Sequence, residues 1–217
     1  SIASTIVSFA LSVYCSNSIR LKFPSIPLID VVLFLIYNRK IDIFQRMGNK
    51  DKIIVALDFE SCDKALALVE SLDGYANFFK IGLGLIGRGG LELACELKKR
   101  GLHVFLDLKL FDISNTIKNA VSGLCEAKFD FLTVQGDPQV IKAAVEGRGT
   151  SITKILAVTF LTSLNRKDLD QNLIIPGEIQ TLVCSRAEKA ILAGADGVIA
   201  SPQELSIIRE NPLCMKK

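Results

Sequence analysis

From Lys52 onward, short apolar runs alternate with amphipathic stretches at a steady spacing. Ile53-Ile54-Val55-Ala56-Leu57 is the first run; it ends at Asp58 and gives way to a stretch whose Ala65, Leu66, Leu68, Val69 and Leu72 share one broad helical face. Phe78-Phe79-Lys80-Ile81-Gly82 follows, then a helical face through Leu91, Ala94 and Cys95. Lys98-Lys99-Arg100-Gly101 closes that helix with a basic last turn and a glycine stop, as the helix dipole and C-terminal geometry favour. The third run is His103 to Lys109, with a helix through Ile117, Ala120, Val121 and Leu124. Phe131-Leu132-Thr133-Val134 is the fourth, and Asp137-Pro138 supplies an N-cap and first helical residue. Ile155 to Phe160 is the fifth, followed after a longer loop by a helix through Ile179, Leu182, Val183 and Ala187. Gly197-Val198-Ile199-Ala200 is the sixth, and Ser201-Pro202-Gln203-Glu204 reads as a capping box for one more helix.

Six βα units with nearly all-apolar strands predict an α/β fold whose parallel strands are buried on both faces. A doubly wound open sheet and a closed eight-stranded barrel both fit that description. Two features favour the TIM (β/α)8 barrel, incomplete here with about six of eight βα units. Polar residues gather at the C-terminal ends of several strands, where barrel enzymes place their chemistry. The first strand is also not followed by the glycine-rich turn of a dinucleotide-binding sheet. Gly82-Leu83-Gly84 and Gly87-Arg88-Gly89-Gly90 come later, and such glycines serve mostly as turn residues.

Residues 1–46 break the pattern. They are rich in Ile, Val, Leu, Phe and Ser, with no period and no turn chemistry to join them to the fold. The apolar run Ile26 to Tyr37 is interrupted by Asp30 and falls short of the roughly 20 residues a membrane span needs. Ser1 to Cys15 lacks the basic flank of a signal peptide. Met47 opens a polar lead into the first strand, so the barrel domain is placed at 47–217 and 1–46 is read as an atypical extension outside it. A membrane anchor is the alternative for that segment.

Composition narrows the function. The 217 residues are 49% hydrophobic and 23% charged, which suits one globular domain. A net charge of +3, from 26 basic and 23 acidic residues, is too mild and too evenly spread to argue for nucleic acid or an anionic membrane as partner. The 6 cysteines form no CxxC pair, and they read as reduced thiols of a cytoplasmic protein. With one histidine, His103, a zinc site has almost nothing to be built from. His103 itself precedes the apolar core of its strand, at the end away from the mouth, which favours a structural role.

The informative cluster is Asp107, Lys109 and Asp112. Side chains alternate along a strand, so Asp107 and Lys109 face the same side at its C-terminal end. Inside a barrel that side is the interior, costly for charge unless the groups pair. Asp112 lies just past the strand, where a loop could return it towards a ligand. A lysine held among carboxylates stays protonated and is placed to act as a general acid. A surface salt bridge is the plain alternative for any D-x-K triplet. Asp58 and Lys80, ending two neighbouring strands, weaken it by adding a second carboxylate and a second ammonium to the same mouth.

Asp107-Leu108-Lys109-Leu110-Phe111-Asp112-Ile113-Ser114-Asn115-Thr116 resembles the DLKxxDIPNT signature of the orotidine 5′-monophosphate decarboxylases. Ala56-Leu57-Asp58, Lys80-Ile81-Gly82, Leu161-Thr162-Ser163 and Asp196-Gly197-Val198 match the same family in order, from about Lys52 to near Asn211. The resemblance implies decarboxylation of orotidine 5′-monophosphate to uridine 5′-monophosphate in pyrimidine biosynthesis, with no metal or organic cofactor. It implies that Lys109 protonates C6 of the pyrimidine as carbon dioxide leaves, and that Asp107 disfavours the charged ground state beside the departing carboxylate. Lys80 would hydrogen-bond the ribose and tie the charges together, and Asp58 would bind a ribose hydroxyl. Asp112 and Thr116 would reach across a homodimer interface into the partner's site, with Asn115 among the substrate contacts. Thr162 and Ser163 would meet the polar edge of the pyrimidine. Ser114 departs from the family's proline, losing stiffness at a helix start while keeping an oxygen for an N-cap.

The resemblance also implies eight strands, and six are counted before Lys217. The family's later segments, which supply the arginine and glutamine that grip the phosphate, are not matched, so impaired turnover and two unpaired strand edges are expected. A sugar-phosphate decarboxylase or aldolase of the same barrel group, and a non-catalytic remnant, are the competing readings.

Overall fold

In this computed structural model, residues 53–161 and 177–215 are described, and the apolar runs among them form six strands. In chain order the elements are β1 (Val55–Ala56), α1 (Cys62–Ser71), β2 (Phe78–Gly82), the short α2 (Leu83–Ile86), α3 (Gly90–Lys99), β3 (His103–Leu110) and α4 (Ser114–Cys125). They continue with β4 (Phe131–Gln135), α5 (Pro138–Arg148), β5 (Lys154–Val158), α6 (Ile179–Leu192), β6 (Gly197–Ile199), a 3-10 turn at Pro202–Glu204, and α7 (Leu205–Glu210). The readings made for residues 1–46 lie outside the described residues.

Every neighbouring pair of strands is parallel, and the order runs from β1 to β6 without reversal. A doubly wound sheet reverses its order at a switch point. Right-handed crossovers in unbroken order put all the helices on one side of the sheet instead. The winding is therefore that of a barrel, six strands of it.

The two sides of the sheet follow from the two-residue period of strands. Phe79 and Ile81, Val104 and Leu106, Leu132 and Val134, and Ile155 and Ala157 pack outward beneath the helices, against Leu68, Leu93, Leu97, Ile117, Val121 and Ile141. Residues of the opposite parity face inward. Ile54, Phe78, Phe105, Phe131 and Leu156, with Ile199 against them, form a separate apolar layer. Its rings touch in ordinary aromatic geometry: Phe78 and Phe131 are 5.4 Å apart, and Phe105 meets Phe131 edge-on at 5.8 Å. Burying each of these rings stabilises the fold by about 1.5–3 kcal/mol. Lys80, Asp107 and Thr133, two residues further along their strands, stand one step above this floor.

Helix ends mostly follow local chemistry. Ser61 caps α1 by accepting from the Lys64 amide at 3.4 Å, and Gly101 takes the left-handed conformation (φ 82°) that ends α3. Asp137 and Pro138 occupy the N-cap and first-turn positions of α5, although the Asp137 carboxylate makes no capping bond. Two expectations are corrected. Ser114 is the first helical residue of α4, not its N-cap; that place belongs to Ile113, whose amide donates to Asp112 Oδ1 at 2.7 Å. Ser201 caps a single 3-10 turn, accepting from the Gln203 amide at 3.3 Å, so its four-residue segment does not open an α-helix directly. No helix among the described residues is long and apolar enough to cross a membrane.

Candidate active site

The site begins with an irregularity in β3. Leu106 pairs with Leu132 and Leu110 with Val134, so β3 uses four residues where β4 uses two. The excess is absorbed at Lys109, which adopts φ 50°, a left-handed conformation that costs a non-glycine residue on the order of 1–3 kcal/mol. Its amide donates to Thr133 Oγ1 at 2.9 Å. Bulges of this kind re-aim a side chain, and here the Lys109 ammonium folds back onto Asp107.

Asp107 is the centre of the arrangement. Its Oδ1 accepts from Lys109 Nζ at 2.8 Å and from Thr133 Oγ1 at 3.0 Å, while Oδ2 accepts from Lys80 Nζ at 3.0 Å. The Asp107 side chain is 13% exposed, against 22% for Lys80 and 33% for Lys109. Burial alone would raise its pKa. The Lys80 and Lys109 ammoniums outweigh that effect through their charge and hydrogen bonds, and the carboxyl titrates below its ordinary value. Two cations thus flank one ionised carboxylate at the C-terminal end of the strands, above an apolar floor. Such a site suits a substrate that develops negative charge and needs a proton.

The other expected residues are placed as follows. Asp58 follows β1 and is exposed; its Oδ1 stands 3.5 Å from where a Cβ on Gly82 would sit, so it overlies the end of β2, the strand that carries Lys80. Asp112 is exposed and stands apart from the three-charge chain, lining a groove of about 470 Å³ with Phe111, Ile113, Ser114, Asp137 and Gln139. Lys80, Asp107 and Lys109 are not among the residues that line that groove. The expectation of a lysine among several carboxylates narrows accordingly: among the described residues the Lys109 ammonium pairs with Asp107 alone. Asn115 and Thr116 are exposed on the first turn of α4. Thr162 and Ser163 lie outside the described residues.

His103 sits at the opposite end of β3, where its Nδ1 is 2.7 Å from Asp130 Oδ1. Asp130 also accepts from Lys98 Nζ and the Val104 amide, each at 2.8 Å. No group of three or more His, Cys, Asp or Glu among the described residues could hold a metal ion. Thr133 escaped the sequence reading, which counted it within an apolar run. Its signal was parity: it falls two residues after the inward-facing Phe131, in phase with Asp107 across the ladder.

Comparison with known proteins accords with this geometry. The family profile described as "Orotidine 5′-phosphate decarboxylase / HUMPS family" matches residues 51–217. The orotidine 5′-phosphate decarboxylase of Ruegeria pomeroyi is 56% identical over 163 residues, covering 75% of this chain and 68% of that protein. The protein of the same name from a Jannaschia species is also 56% identical, over 75% of this chain and 71% of its own length. Among solved structures, the orotidine 5′-phosphate decarboxylase of Lactobacillus acidophilus superposes with a TM-score of 0.66 at 35% identity, covering 73% of this chain and 75% of that one. An uncharacterized conserved protein from Geobacillus kaustophilus gives 0.67 at 35% identity, over 72% and 77% of the two chains. With its profile match, its curated relatives and its barrel-type winding in agreement, the chain belongs to the orotidine 5′-phosphate decarboxylase / HUMPS family.

Proposed function

We propose that the protein decarboxylates orotidine 5′-monophosphate to uridine 5′-monophosphate, the reaction for which its relatives are named, in de novo pyrimidine biosynthesis. The observation that carries this reading is the Lys80–Asp107–Lys109 chain of charges, joined by contacts of 3.0 and 2.8 Å at the strand ends. The substrate's C6 carboxylate would enter beside the ionised Asp107, a repulsion that raises the ground state relative to the transition state. The bond between C6 and the carboxylate carbon then breaks. Carbon dioxide leaves, the electron pair stays on C6, and Lys109 Nζ delivers the proton that neutralises it. The fixed ammonium stabilises the carbanion-like transition state before the proton moves. Lys109 regains a proton from water.

In this reading Lys80 and Asp58 hold ribose hydroxyls, and Thr162 and Ser163 contact the pyrimidine. Asn115 is a further substrate contact. The protein works in the cytoplasm as a homodimer, and Asp112 and Thr116 serve the partner's site. Support for that last assignment comes from placement: Asp112 is exposed, stands away from its own chain's cluster, and is flanked by Phe111 and Ile113, 66% and 73% exposed. Apolar side chains this open, rimmed by polar ones, mark protein–protein contact surfaces.

Purified protein incubated with orotidine 5′-monophosphate is expected to release carbon dioxide and uridine 5′-monophosphate. Lys109→Ala should lower kcat by at least about 10²-fold, the usual contribution of a general acid. Turnover of a keto-gulonate phosphate in place of the nucleotide, or full activity in Lys109→Ala, would refute the assignment.

A further inference from the structure

We propose that Thr133 is a positioning residue for this decarboxylation, its one hydroxyl fixing both the Asp107 carboxylate and the backbone that aims the Lys109 ammonium. The inference rests on the roles of Asp107 and Lys109 given above. Thr133 is fully buried in β4, at 0% exposure. Valine has the same shape and a high strand preference, so packing alone gives no reason for a hydroxyl here.

The hydroxyl has no freedom of orientation. A hydroxyl carries one proton and two acceptor lone pairs. The Lys109 amide, 2.9 Å away, can only donate to it; the ionised Asp107 Oδ1, 3.0 Å away, can only accept from it. The proton is therefore committed to Asp107 and a lone pair to Lys109.

Each bond has a consequence. Together with the Lys109 ammonium, the hydroxyl places two donors on Oδ1, while Lys80 holds Oδ2, so the carboxylate plane is pinned from β2, β3 and β4 at once. The second bond supports the bulge. Where the β3–β4 pairing slips between Leu106 and Leu110, the Lys109 amide finds its acceptor in a side chain of β4. That bond opposes the return of Lys109 from φ 50° to an ordinary strand conformation, which would swing its ammonium off Asp107. One buried oxygen thus couples the group that stresses the substrate to the group that protonates the product.

The test compares Thr133→Val, which keeps shape and loses the hydroxyl, with Thr133→Ser, which keeps the hydroxyl, and with Thr133→Ala as a second variant lacking it. With orotidine 5′-monophosphate, Val and Ala are expected to lower kcat by about 10–10²-fold, the effect of misplacing a reacting group by about an ångström. KM should change little, and Ser should stay within about threefold of the parent. Independently of turnover, carbon-13 NMR of the Asp107 carboxyl should show it titrating at higher pH in Val and Ala than in the parent, with Ser restoring the parent curve. Loss of a bond to the ionised form demands that direction, and any withdrawal of the Lys109 ammonium moves the carboxyl the same way. A parent that does not decarboxylate the nucleotide overturns the reaction assignment and the catalytic part of this inference with it. An Asp107 titration unmoved in both Val and Ala overturns the hydroxyl link whatever the parent does. So does a kcat loss in Ser equal to that in Val.

Discussion

Asp130 offers the sharpest test of how the closed end of the sheet is held, because it concentrates three groups on one carboxylate. Oδ2 receives Lys98 Nζ from the last turn of α3 and the amide of Val104 in β3, and Oδ1 receives His103 Nδ1. The backbone adds a further tie, Asp130 N donating to Val104 O at 2.9 Å. Asp130→Ala removes the side-chain acceptors and leaves the backbone tie. Lys98 and His103 side chains are 21% and 45% exposed, so water can take over much of what they lose. The Val104 amide cannot recover so easily: Val104 is 0% exposed, and an orphaned buried donor costs about 1–3 kcal/mol. Adding a smaller loss for the two screened cations, the expected total is about 3 kcal/mol. For a domain of this size that lowers Tm by roughly 6–12 °C. Asp130→Asn keeps an acceptor for the amide and loses only charge, so it should cost about 1 kcal/mol. Thermal and urea unfolding of the three proteins measure both. Activity should be unaltered, because this cluster lies at the N-terminal end of the strands, where barrels keep stability apart from chemistry.

The pH dependence has a definite sign. Burial raises the Asp130 pKa, but the Lys98, His103 and Val104 bonds outweigh it and hold the carboxyl below its ordinary value. A folded-state pKa below the unfolded one contributes stability above the ordinary carboxylate range and loses it as pH falls through the folded value. The gap between parent and Asp130→Ala should therefore be full at neutral pH and narrow in strong acid, where the protonated carboxyl still accepts from the Val104 amide but loses its ionic partners. A gap under about 0.5 kcal/mol at pH 7, or one that widens on acidification, would refute the reasoning.

Two further outcomes follow from particular contacts. Lys80→Met leaves Asp107 with one ammonium in place of two, so its titration in carbon-13 NMR should move up towards the ordinary carboxylate value, with kcat reduced; an unmoved titration would mean the 3.0 Å contact carries no electrostatic weight. Gly147→Ala would place a methyl 2.3 Å from the Lys118 carbonyl oxygen where α5 crosses α4, so overpacking should destabilise by about 1–3 kcal/mol in urea unfolding, and a stability change within 0.5 kcal/mol would show that the helices separate freely.

The Asp130 arrangement recurs two strands on, which no apolar pattern announces. Asp196, just before β6, accepts from the Ile155 amide at 2.9 Å and pairs with Arg148, the last residue of α5. In both cases a basic residue closing one helix and an aspartate opening a later strand clasp the first amides of the strand between them. His103 was read from the sequence as structural by its position alone. Its partner could not be read that way, because Asp130 lies 27 residues further along the chain.

What the amino-acid order determined by itself is the alternation of strands and helices, and with it the class of fold. A strand covered on both faces must be apolar along its length, and a helix must turn an apolar stripe to the sheet, so both periods are written locally. The charged triplet at the end of β3 was legible for the same reason: Asp107 and Lys109 are two residues apart, and strand parity puts them on one side. Tertiary structure decided the rest. Whether the strands wind in one direction or reverse depends on pairings between distant segments, which local periods do not encode. Sequence spacing likewise grouped Asp112 with Asp107 and Lys109, but the turn after β3 carries its carboxylate away to bind the Ile113 amide. The bulge at Lys109 is set by a slipped register, and its support is a threonine on the next strand. Hydrogen bonds across a sheet select partners by distance and direction, and a side chain's polarity alone leaves both unspecified.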